Sequence, residues 1–383
     1  MNRFPVLAHV LALSLTAFGT AMPARAAPVV LTGPGAGTEI LQMRAGADGK
    51  LCIVGVRAGA QAREADRGAI ILFDLRANRV AWERSVEPPA GSHRVALRAC
   101  HADARAVYAG AEVMPTSAAE GRRVTAHVYR FDAQGNLAAS TALDTGATDS
   151  FVYAIDADAG GVSMAGAATE VAADQVRNAV YFARLDAALG GAAIGKLASG
   201  AYQGGALARL AGNTLYIAGN FAPASHAFAG EIDDYAVSKI VAGKYRFSLR
   251  PLKLRADTIA ATITPANDIV LLGHAGKTTQ LVGIGADGRP KENLRVASTF
   301  CWTDKISADA DTVYAIRGEC SNPDAPSVLT AIDRKTGAEV VVSGVIGEPV
   351  QVLALGAELV VIARKSDGAL LLQRVTKGQD QDG

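Results

Sequence analysis

From Glu39 to Val375 this chain writes one short pattern seven times, and that repetition limits its fold more than any other feature. Each unit opens with an apolar segment, crosses a small polar turn, and enters a second apolar segment that ends near Gly. After a variable loop comes a third segment, often closing on Asp, then another turn and a last segment. The first unit shows the whole pattern. Glu39-Ile40-Leu41 leads through Ala47-Asp48-Gly49 to Leu51-Cys52-Ile53-Val54, then Ala69 to Asp74, then Val80-Ala81-Trp82. Later units open near Val95, Phe151, Ala206, Ile259, Lys305 and Val350, roughly 45 to 56 residues apart. The segments are short, bounded by Gly, Asp and Asn, and rich in Val and Ile, so they read as strands. Many are apolar without alternation, as strands are when both sheet faces are covered. The run Ala167-Ala168-Thr169-Glu170-Val171-Ala172-Ala173 is the one segment with helical composition, and it reads as a loop or a single helical turn.

Four short strands per repeat is the signature of a propeller blade, so the chain reads as an all-β propeller. The last repeat supplies only three strands before the chain stops. Pro28-Val29-Val30-Leu31-Thr32 is an apolar strand with no repeat of its own. An open sheet edge invites aggregation, and pairing these leftovers removes it. The expectation is therefore seven four-stranded blades closed by an N-terminal strand. Six blades with an appended hairpin is the alternative.

Ahead of the first strand lie Arg3, a largely apolar run from Val6 to Ala21, and Ala24-Arg25-Ala26. This reads as a leader spanning residues 1–26, leaving residues 27–383 as one propeller domain in the periplasm or outside the cell. Loss of Arg3 and Arg25 takes the formal net charge from +1 to about −1. A nearly neutral chain without a basic stripe is not built for nucleic acid, and no integral membrane segment is expected after cleavage. All four cysteines fall in the exported part. Two disulfides are expected, Cys301–Cys320 across one hairpin and Cys52–Cys100 between adjacent blades, with Cys100 placed just after a first strand; four buried free thiols are the alternative.

Two turns resemble a known repeat. Ala331-Ile332-Asp333-Arg334-Lys335-Thr336-Gly337 is similar to the Ala-x-Asp-x-x-Thr-Gly turn of bacterial PQQ-type propeller repeats. Asp74 followed by Trp82 resembles the Asp-to-Trp spacing of the same repeat, with Ala77-Asn78 in place of Thr-Gly. The resemblance covers two of the seven blades. It implies that Asp and Thr brace the turn and that Trp docks between blades. The quinone-dependent dehydrogenases of that group are longer and use an adjacent Cys pair absent here, so no quinone cofactor is expected. Its cofactor-free members are scaffolds in envelope protein assembly.

Chemistry has few anchors. The six histidines are not paired at metal-ligand spacing, no CxxC occurs, and no Gly-x-Ser-x-Gly elbow is present. Glu39, Asp149, Asp257, Asp304 and Glu348 recur where first strands begin, and in a propeller they surround one channel mouth. Converging carboxylates there suit a hard cation such as calcium, the arrangement that propeller lactonases use to activate water. A second candidate is the insertion from Gly219 to Asp234, where Asn220, His226, Glu231, Asp233 and Asp234 offer ligand or partner contacts. The leading expectation is a non-enzymatic module binding a protein or small molecule, without a cofactor beyond possible calcium. A calcium-dependent lactonase-like hydrolase or lyase is the alternative.

Overall fold

The computed structural model describes residues 27–377 apart from 34–36, 60–63, 117–122, 173–174, 204–205, 228–232, 250–257, 276–277, 297, 299, 323 and 343. Seven small antiparallel sheets form a seven-bladed propeller. Blade 1 comprises Thr38–Ala45, Lys50–Arg57, Arg67–Asp74 and Arg79–Val86, in chain order from centre to rim. Blade 2 runs Ser92–Ala102, Ala106–Pro115, Thr125–Asp132 and Leu137–Ala142, and blade 3 runs Asp149–Asp158, Gly161–Ala172, Gln175–Leu185 and Ala193–Leu197. In blade 4 the first strand is split into Ala201–Tyr202 and Leu207–Ala211, both paired to Thr214–Ala222, with Asp233–Val241 and Lys244–Leu249 outside. Blades 5 and 6 open with Thr258–Ile263 and Phe300–Ala308. Blade 7 holds Glu348–Leu355, Glu358–Arg364 and Leu370–Thr376.

The seventh blade is completed as the leftover strands foretold. Val29–Thr32 pairs antiparallel with the final strand, Val29 opposite Leu372 and Thr32 opposite Leu370. Leu31 is 3% exposed and packs among Ile53, Phe73, Val360 and Leu370. Burying such a leucine is worth about 2 kcal/mol, and the pairing removes an unpartnered edge.

No single core exists. The buried apolar residues fall into seven clusters, each filling the gap between two neighbouring blades. One joins Cys52, Val54, Ile70 and Leu72 of blade 1 to Val95, Leu97 and Tyr129 of blade 2. A blade is thus covered on both faces, which is why its strands lack alternation. The Cys52–Cys100 disulfide crosses this first interface. Cys100 lies inside the strand Ser92–Ala102 rather than after it, as the sequence reading had placed it. The side chain of Cys301 lies outside the described residues, and the backbone sets Phe300 opposite Glu319.

The first strands of successive blades touch one another around the ring, and Glu348–Leu355 closes the circle against Thr38–Ala45. Their free edge faces the centre, so its N–H groups need acceptors. Neighbouring blades supply them: Gln42 Oε1 accepts from Cys100 N at 2.9 Å, Glu112 Oε1 from Val152 N at 3.2 Å, and Ser307 Oγ from Ala354 N at 2.9 Å. Five first strands carry bulges. In blades 1 and 3 the bulge pushes backbone onto the second strand. A Cβ at Gly55 would lie 1.9 Å from Glu39 O, and one at Gly166 1.9 Å from Phe151 O. The repeated Gly is therefore a clearance requirement.

Two expectations are corrected. Ala167 to Ala172 is strand, the extension of Gly161–Ala172, paired residue by residue from Ala167 opposite Val180 to Ala172 opposite Gln175. Cross-strand pairing overrides the helical preference of an Ala-rich run. The blade 4 insertion, read as a loop, extends the strand Thr214–Ala222 and then supplies Ser225–Ala227 as a fifth strand of blade 3, Val176 opposite His226.

The familiar turns are braced by their acidic residues. Asp333 Oδ1 accepts from Lys335 N, Thr336 N and Thr336 Oγ1 at 2.7–2.9 Å. Asp74 Oδ1 accepts from Arg76 N and Ala77 N. Trp82 donates to Ala133 O at 3.2 Å and packs on Phe131, docking blade 1 against blade 2.

Candidate functional site

Each first strand enters at one mouth of the central channel and leaves at the other, so the two mouths are lined by different ends of the same strands. At the entry mouth Glu39 and Glu348 are exposed, while Asp149 is 3% exposed. Its Oδ2 pairs with Arg123 Nη2 at 2.6 Å, and its Oδ1 is buried without a hydrogen-bond partner. Asp257 and the side chain of Asp304 lie outside the described residues. Among the described residues no three His, Cys, Asp or Glu side chains gather as a metal ligand set.

The insertion residues are dispersed. Asn220 sits in the strand Thr214–Ala222, opposite Tyr235. His226 Nδ1 lies 3.3 Å from Asn178 Nδ2, which also donates to Pro223 O at 3.0 Å. Phe221 is fully buried against Tyr202, ring centroids 5.2 Å apart. The Asn178 bonds fasten the insertion to blade 3, while Phe221 pins its start within blade 4. Glu231 and the side chains of Asp233 and Asp234 lie outside the described residues; Asp233 opens the strand Asp233–Val241.

The exit mouth holds a polar network that spans five blades. Arg44, at the end of the first strand of blade 1, reaches across blade 2. Its Nη1 donates to Ile155 O at 2.5 Å and its Nη2 pairs with Asp156 Oδ1 at 2.9 Å. His101 Nδ1 from blade 2 lies 2.9 Å from the same oxygen. Asp156 Oδ2 accepts from Gly212 N of blade 4 at 3.0 Å. Arg209, from the first strand of blade 4, donates Nη1 to Thr264 O of blade 5 at 2.9 Å.

Burial alone would raise the Asp156 pKa. The hydrogen bonds from His101 and Gly212 and the charge of Arg44 overcome it, holding the carboxyl below its usual range. Burial lowers the pKa of Arg209 and the nearby charge of Arg44 lowers it further, while the carboxylate of Asp156 pushes back. Sequence reading passed over these residues because each looks like an ordinary strand-end charge. Their signal is register. Arg44, Asp156 and Arg209 stand opposite Cys52, Ser163 and Tyr216, each three residues before the Gly of its second strand.

A third feature lies at the rim. A hollow of about 680 Å³ opens between the outer strands of blades 1 and 2, lined by Arg84, Glu87, His127, Tyr129, Phe131 and Leu137. Burial pushes His127 down to about 4. Its Nε2 lies 3.2 Å from Thr125 Oγ1 and its ring stacks on Tyr129.

No protein-family model and no curated protein matches the chain. Solved structures do. The β-propeller domain of the Trilobed protease from Pyrococcus furiosus superposes with a TM-score of 0.51 at 10% identity, covering 90% of this chain and 96% of that one. Polysaccharide lyase Uly1 gives 0.51 at 10% identity, covering 94% of each chain. Puromycin hydrolase gives 0.53 at 14% identity, covering 91% of this chain and 52% of that one. The chain spans about half the length of that hydrolase and of Pyrococcus horikoshii acylaminoacyl peptidase, which it covers to 52%. At these identities the likeness establishes the propeller fold alone. No helix among the described residues is long and apolar enough to cross a membrane.

Proposed function

We propose that this propeller is an exported, periplasmic or secreted, non-enzymatic binding module whose ligand sits at the exit mouth. The observation that carries the reading is the convergence of Arg44, His101, Asp156 and Arg209 from four successive first strands onto one opening. Function concentrates where a rigid scaffold aims several side chains at a shared space, and the centre of a propeller is such a place. Export is supported by the composition of residues 1–26 and by the Cys52–Cys100 disulfide, a bond favoured in oxidising compartments.

The competing reading puts calcium among Glu39, Asp149, Asp257, Asp304 and Glu348 and makes the protein a lactonase-like hydrolase or lyase. The Arg123 pair works against it by occupying one carboxylate. Calcium titration followed by thermal unfolding, with and without EDTA, separates the two, together with turnover of a panel of lactones and esters. The binding reading predicts no calcium-dependent rise in Tm and no turnover. A rise that Asp257→Ala abolishes, accompanied by turnover, would move the function to the entry mouth.

A further inference from the structure

We propose that the exit mouth binds a small oxyanion, the carboxylate or phosphate group of its ligand, with Arg209 as principal donor and Arg44 as its electrostatic partner. The inference deepens the binding reading above and rests on it.

Asp156 is the carboxylate of the network, and its oxygens are taken: Oδ1 by Arg44 and His101, Oδ2 by Gly212 N. Both terminal nitrogens of Arg44 are likewise engaged, on Ile155 O and Asp156. Arg209 is different. It is partly buried, yet among the described residues no carboxylate lies within ion-pair distance of it. Its hydrogen bond to a described residue is the one from Nη1 to Thr264 O. A guanidinium carries five N–H donors in a fork shaped for two oxygens of one anion. Nη2 and Nε of Arg209 bond to no described residue and are not shut away from solvent, so an anion at the mouth can reach them, close to the charges of Arg44 and Asp156.

Two guanidiniums against one carboxylate leave a formal positive charge at the opening. Partial burial weakens the hydration of that charge, and a bound anion offsets the loss with charge-assisted hydrogen bonds. The Thr264 bond holds the Arg209 side chain from one end, so little further ordering is needed on binding. Arg44 is tied at both ends and acts as a fixed charge.

The test is isothermal titration of the mature protein with inorganic phosphate and, separately, with succinate, at ionic strength matched with sodium chloride. Saturable binding of either probe that weakens at least tenfold in Arg209→Gln and is unchanged in Arg289→Gln supports the proposal; the Arg289 side chain is 87% exposed and pairs with Asp287 of its own turn in blade 5. Arg209→Lys, which keeps the charge and loses the fork, should fall between. Phosphate without succinate identifies a phosphate head group, and succinate without phosphate a carboxylate. Binding equal in wild type and Arg209→Gln overturns the proposal, as does no binding of either probe. The binding reading fails separately. It falls if a bound ligand of any charge protects amides at the entry mouth or rim but leaves residues 209–213 exchanging as in the free protein. Protection of residues 209–213 by a neutral sugar would overturn the oxyanion and keep the mouth.

Discussion

Arg317 and Arg209 are both arginines withdrawn from solvent on the inner strands of a blade, and they are treated in opposite ways. Arg317 is completely buried between blades 5 and 6. Its Nη1 pairs with Glu339 at 3.0 Å, and its Nη2 has Thr279 Oγ1, Ser298 Oγ and Phe300 O at 3.0–3.3 Å. Burial pulls its pKa down, and the Glu339 charge pushes back. Arg209 has one backbone acceptor, a like charge nearby and Asp156 acting on it only at a distance, without an ion pair. The first has its charge paired and both terminal nitrogens bonded, although its buried Nε has no acceptor, and it locks an interface. The second is left open at a channel mouth. A fold that pairs a buried arginine with a carboxylate at one place, and leaves a half-buried one without an ion pair among the described residues at another, marks the second as the place open to a ligand.

The contrast predicts effects of different size and kind. Arg317→Met should be the most damaging change, lowering stability by about 3–5 kcal/mol in chemical unfolding, because it strands Glu339 in the interior. Pairing it with Glu339→Leu should recover much of that loss. If Arg317→Met unfolds at the wild-type denaturant midpoint, the arginine is not closing the interface. His127 shows a third way to bury a base, by giving up its charge. Its native pKa lies below that of the unfolded chain, so acid favours the unfolded state, which takes up the proton first. Stability should drain away as pH falls from about 6.5 toward 4, by roughly 2–3 kcal/mol. His127→Gln should flatten that part of the profile of Tm against pH; an unaltered slope would show that the imidazole titrates freely. Arg209→Gln should have the smallest effect on folding, within about 1 kcal/mol, since it breaks one hydrogen bond while the repulsion from Arg44 and the attraction to Asp156 that it removes oppose each other. A loss comparable to that of Arg317→Met would make Arg209 structural and erase the contrast.

Most of the fold was legible because its rules are local. Short apolar runs punctuated by Gly and Asp give the strands, and Val29–Thr32 with an incomplete last repeat gives the closure. Cys52 and Cys100 were pairable because adjacent blades face each other. The failures were non-local. Ala167 to Ala172 has helical composition, and only its pairing with Gln175–Val180 makes it strand. Ser225–Ala227 joins blade 3 although it follows the second strand of blade 4. The exit mouth was missed for the same reason: Arg44 meets Ile155 across 111 positions, and nothing in either neighbourhood announces the other. Equivalent register in successive blades is the trace it leaves, visible once the Gly of each second strand is used to align them.

The most direct test of the account is to map phenylglyoxal adducts on the folded protein by mass spectrometry, with and without inorganic phosphate. The account predicts that Arg209, with its depressed pKa and free donors at the opening, is modified and that phosphate shields it, while Arg289 reacts equally in both. An Arg209 adduct level that phosphate does not change would contradict it.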